Sequence, residues 1–130
     1  MMRRTTHIFG GLFFGLIGYI ILVTIRLNEL PSIGYLTGLS DTFMLFKISL
    51  LVSFAVLGAS LPDKLDPPFS SKHRRFAHSK ILLLFLIVIT LFTLYLLSTE
   101  ENLGLWSLYY FLLGYISHLF LDSLTPAGLF

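Results

Sequence analysis

Cysteine is absent from the chain, so disulfides and thiolate metal ligands are excluded and any bound metal must be held by histidine and carboxylate. Charge is scarce too: Asp, Glu, Lys and Arg make up 12% of the residues and nearly cancel, at a net +2. So small a balance gives no reason to expect a nucleic-acid partner, because the basic residues cluster near predicted helix ends, where membrane orientation accounts for them. No internal repeat and no low-complexity segment is present. What fills the chain instead is apolar: 55% of 130 residues are hydrophobic, too many for a water-soluble domain of that length to cover with polar surface. The lipid bilayer is therefore the expected surroundings.

Four apolar runs come close to the ~20 residues that cross a bilayer, at approximately residues 8–25, 42–61, 80–97 and 105–122. The first follows Arg3 and Arg4, yet it is too long for a secretory-signal core and no small-residue cleavage site follows it; the same grounds set aside a twin-arginine signal. Pro31, Gly34 and Gly38 break the connector at 28–40, Asp41 suits the N-cap of the second helix, and Pro62 is expected to end it. Lys47 lies one to two turns inside and can snorkel outward. The expected fold is all-α: a polytopic four-helix transmembrane bundle, one domain over 1–130, with a polar loop at 62–79 between helices 2 and 3. Both termini and that loop share one side, together with Arg3, Arg4, Lys64, Lys72, Arg74, Arg75 and Lys80, while only Arg26 and Lys47 lie toward the other. The positive-inside rule assigns that side to the cytoplasm, and the protein to the cell's inner membrane.

The histidines follow the same division. His7, His73, His78 and His118 all fall on the loop's side, as do Asp63, Asp66 and Asp122, whereas Glu29, Asp41, Glu100 and Glu101 fall opposite. Helical spacing links them to small residues at intervals of four: His7 with Gly11 and Gly15, Asp63 with Ala59 and Ala55, and His118 and Asp122 with Gly114. Small residues in membrane helices mark faces where backbones approach closely, which turns each ionisable group into the bundle. Ionisable groups there are costly and suggest function. Mixed His and Asp donors suit zinc, or else manganese or iron, and one or two ions with orienting partners would use this set. Arg74 and Arg75 beside such a site suit an anionic, phosphate-bearing substrate. The plainer readings are a hydrogen-bonded His118–Asp122 pair, cytoplasmic anchoring by Arg74 and Arg75, and simple packing by the glycine and alanine rows.

The ordered set of His7, Leu61-Pro62-Asp63, His73-Arg74-Arg75-Phe76-Ala77-His78-Ser79 and the stretch from Gly114 to Gly128 resembles the YdjM-like membrane-bound metal-dependent hydrolases over nearly the whole chain. That family is thought to be distantly similar to zinc-dependent phospholipase C and P1-type nucleases. The resemblance implies a divalent metal, held by His7, Asp63, His78, His118 and Asp122, acting on a phosphate ester such as a phospholipid headgroup. In the commoner family form Asp-x-Asp-His follows Leu-Pro; here Asp63-Lys64-Leu65-Asp66 stands in its place, so Asp66 is either a ligand or a general base, and His73 either a further ligand or the carrier of the proton. Relatives usually continue into another apolar segment, so the chain is expected to be either a short member or part of a longer one. Two rivals stand beside a hydrolase: a non-catalytic membrane protein with a structural metal clamp, and a small transporter subunit. The second needs polar residues through the midplane, where only Thr90 and Thr93 of the third run qualify. A homo-oligomer through Gly11 and Gly15 is open on this reading.

Overall fold

The computed structural model describes residues 4–27, 42–65, 78–100 and 102–124. Four helices account for nearly all of them: α1 (Arg4–Leu27), α2 (Thr42–Leu65), α3 (Lys80–Thr99) and α4 (Leu103–Ser123). Each is long and apolar enough to cross a membrane, and no strand occurs among the described residues. The expected all-α membrane architecture is the one observed. α1 and α4 outrun their apolar runs at both ends and α2 and α3 at their C-terminal ends, because hydropathy marks only the oily part of a helix and not the polar turns that continue its hydrogen bonding. Ser79 starts α3 by accepting the Leu82 N–H on its hydroxyl at 3.0 Å, and Asn102 starts α4 by accepting from Gly104 and Leu105. The N-cap expected at Asp41 lies outside the described residues.

One expectation fails. Pro62 does not end α2, which runs on to Leu65 with the proline inside its last turn. Proline removes one backbone donor and crowds the preceding turn, but here its ring is among the most fully buried side chains of the bundle. Tertiary packing outweighs the local penalty, and the extra turn keeps Asp63 on the helix.

Helix α4 is the hub: it packs against α1, α2 and α3, most extensively against α2, while α2 and α3 do not meet. Hydropathy explains which helix is central. α4 has the lowest mean hydropathy of the four, 1.2, and half of its span is buried; α3 has the highest, 2.8, with 22% buried. In a bilayer the oily helix loses nothing by facing lipid, whereas polar atoms gain partners inside the bundle. The outer face of α3 accordingly shows Ile81, Leu84, Val88, Leu91 and Tyr95. Thr90 and Thr93 are buried, each donating to a carbonyl of its own helix, Leu86 at 2.7 Å and Ile89 at 2.8 Å.

Small residues let α1, α2 and α4 close on one another. A Cβ on Gly114 would strike the Ala55 carbonyl oxygen, and one on Gly58 the Phe111 carbonyl oxygen, so only glycine permits the α2–α4 contact. On α1, a Cβ on Gly11 would lie 2.8 Å from the Ala59 methyl. At the opposite end from these ionisable rows, Arg26 donates to the carbonyls of Leu97 at 2.8 Å and Glu100 at 2.7 Å, tying α1 to the end of α3. Arg26 and Lys47 also stand over the buried Trp106 ring, at 5.7 and 5.0 Å from its centre.

Candidate metal centre

The start of α1, the end of α2, the residue before the α3 cap and the end of α4 converge at one end of the bundle. They bring His7, Asp63, His78, His118 and Asp122 together. Each arrives for a local reason. His7, Gly11 and Gly15 share one face of α1, pressed on α2 by the two glycines. Asp63 follows Ala55 and Ala59 up the facing row of α2, because the helix continues through Pro62. His78 directly precedes the Ser79 cap. His118 and Asp122 stand one turn apart above Gly114 on α4.

Three donor atoms form a nearly equilateral triangle. His78 Nε2 lies 3.3 Å from His118 Nε2 and 3.3 Å from Asp122 Oδ2, and the last two are 3.4 Å apart. Asp63 Oδ1 approaches the same His118 nitrogen at 3.6 Å. Donors bound at ~2.0–2.1 Å to a tetrahedral zinc lie about 3.3–3.5 Å from each other. The spacing of this triangle therefore fits one face of such a coordination shell. Two overlapping groups have the composition and closeness to hold an ion: His7 with His118 and Asp122, and Asp63 with His78 and His118.

The tautomer of His118 follows from its other contact. Its Nδ1 lies 2.7 Å from the Ala59 carbonyl oxygen, which can only accept, so Nδ1 carries the hydrogen. In the neutral ring Nε2 then presents a bare lone pair to the two aspartates and to His78. Lone pair against carboxylate is repulsive unless a proton or a metal cation lies between, and a backbone carbonyl fixing the ring from behind is the usual support of a metal-binding histidine. His7 differs. Its ring stacks on His118 at 3.9 Å with 22° between planes, and its Nε2 meets the other oxygen of Asp122, Oδ1, at 3.5 Å. Nearly parallel stacking keeps the in-plane lone pairs of His7 and His118 in nearly parallel planes, a less open arrangement around a shared ion than the angled His78–His118 pair. Nδ1 of His7 is buried with no hydrogen-bond partner among the described residues.

The three imidazoles are buried, with His118 wholly enclosed, while the side chains of Asp63 and Asp122 keep 27% and 18% of their surface exposed. Access to the centre is thus from the carboxylate side. Asp66, His73, Arg74 and Arg75, expected to serve proton transfer and substrate, lie outside the described residues. Sequence reasoning missed the Ala59 carbonyl, since a backbone acceptor leaves no residue-type signal.

A family model described as YdjM inner membrane protein matches residues 1–129. The chain belongs to the YdjM inner membrane protein family. Neither a curated protein nor a solved structure matches it significantly. Inner-membrane placement agrees with four helices able to cross a bilayer and with the oily outer face of α3.

Proposed function

We propose that this YdjM-family chain is a membrane-bound metal-dependent hydrolase acting on a phosphate ester at the membrane surface. The observation that carries this reading is the His78–His118–Asp122 triangle, with Asp63 behind it and the His118 lone pair turned inward by Ala59. Zinc is the metal this spacing suits best, with manganese or iron as substitutes in a mixed nitrogen and oxygen set. His118 offers one free ring nitrogen, so the two groups that share it hold one ion at a time. His7 then steadies the far oxygen of Asp122, or binds a second ion there with donors from elsewhere in the chain. When bound, zinc supplies a coordinated water with a pKa near ~7 and polarises a phosphoryl oxygen.

The remaining roles fall to the connector between α2 and α3, whose flanking residues Asp63 and His78 both stand at the centre. Arg74 and Arg75 hold the substrate phosphate, and Asp66 or His73 carries the proton. The excess of basic residues on the centre's side of the membrane supports a cytoplasmic orientation of this end. One observation favours a purely structural clamp: the donors come from all four helical segments, so an ion would tie the bundle together.

The test is zinc analysis of the purified protein beside a panel of phosphodiester and phosphomonoester substrates. Hydrolysis that disappears with the zinc and with His118→Ala supports the hydrolase. Zinc without hydrolysis on any substrate, accompanied by loss of thermal stability on chelation, supports the clamp.

A further inference from the structure

His7 faces the cluster differently from the other two histidines. His78, His118 and Asp122 Oδ2 make the triangle, whereas His7 Nε2 meets Oδ1, the other oxygen of that carboxylate, at 3.5 Å. The backbone beneath His7 is pressed against α2: a Cβ on Gly11, one turn along the same face, would lie 2.9 Å from the Ala55 carbonyl oxygen. The ring is 2% exposed and lies on His118, with 3.9 Å between ring centres. Packing on both sides thus fixes where its two nitrogens stand.

Those nitrogens divide the work. Nδ1 is buried and has no hydrogen-bond partner among the described residues. An ion bound at Nε2 would put the ring's hydrogen on Nδ1, where nothing accepts it. Buried N–H groups without an acceptor are rarer than unused lone pairs. The opposite tautomer leaves Nδ1 bare and turns the Nε2 hydrogen toward Asp122 Oδ1, which accepts. The contact is long, and a hydrogen on Nε2 makes it attractive. Nδ1 of His78 is buried without a partner as well, but Nε2 of that ring stands 3.3 Å from each of two donors, so position makes it a ligand. His7 has no such place in the triangle.

We propose that His7 is a positioning residue and not a ligand: it holds Oδ1 of Asp122, so that this carboxylate offers a metal ion Oδ2 alone. A carboxylate bound through one oxygen takes one place in the shell and leaves another open for water, as a catalytic zinc requires. The assignment differs from the ligand role that the family resemblance implies for His7. It rests on the metal centre of the reading above and not on hydrolysis.

The test counts imidazoles. X-ray absorption at the zinc edge, on the purified full chain loaded with zinc, should show two imidazoles per ion, those of His78 and His118. The count should be the same in His7→Gln, which keeps a side-chain N–H for Oδ1. His7→Phe keeps the ring stack and loses the donor. Competition with a chelator should leave His7→Gln within about threefold of the wild type and weaken His7→Phe by ~10–100-fold, the range for partners of ligands. A third imidazole in the wild type, or an equal loss of zinc affinity in both variants, overturns the proposal and leaves the metal centre standing. Undiminished affinity in His7→Phe overturns it too, because Asp122 then needs no support. Protein that never holds zinc overturns the centre along with it.

Discussion

At the Trp106 end of the bundle, cations meet groups that attract them: Arg26 and Lys47 stand over an indole ring, and Arg26 donates to two helix-terminal carbonyls. At the His118 end the pattern is reversed. Imidazole nitrogens and carboxylate oxygens face one another at 3.3–3.6 Å, and the Ala59 carbonyl holds Nδ1 of His118 so that its Nε2 points inward. The first end is a lock assembled from the protein's own atoms. The second gathers acceptors that call for a positive charge between them, either a proton on an imidazole or a metal ion.

Changes to the packing that both ends share should have the largest effect. Gly114→Leu drives a side chain into the Ala55 carbonyl. Overpacking of this kind costs about 3 kcal/mol or more, so the variant should lose its sharp thermal transition and its zinc together. A variant that keeps both would mean the helices are not held as closely as described. Next, His118→Ala should weaken zinc binding by more than ~100-fold, given that partners of ligands alone are worth ~10–100-fold. Titration with a competing chelator reads this directly. Arg26→Ala sharpens the contrast from the other end. It removes charge-assisted bonds worth about 1.5–3 kcal/mol, so the melting temperature should fall while zinc content stays at the wild-type value. Loss of zinc in that variant would show the ends to be coupled. The smallest effect belongs to Thr90→Val. Its hydroxyl bonds only its own helix in the structure, and the change should cost about 0.6 kcal/mol or less; a large loss would revive a midplane polar pathway and transport.

Much of this was legible in the sequence. Four oily runs and a spacing of four between His7 and its glycines, Asp63 and its alanines, and His118 and Gly114 need only helical periodicity to be read. His78 could be read as a neighbour of a cap, because Ser79 stands before an apolar run. Pro62 misled, since a local rule about backbone donors says nothing of how well a ring is buried. The stacking of His7 on His118 was illegible as well. It depends on how α1 crosses α4, which side-chain spacing within one helix does not encode.

The central claim is that the His118 end closes around a metal ion. Quantifying zinc, manganese and iron per chain, in the wild-type protein and in the His118→Ala, Asp122→Ala double variant, tests it most directly. The expected result is close to one tightly held ion, most readily zinc, in the wild type and none in a variant that still folds. Metal content that is nil in both, or unchanged between them, would contradict the claim.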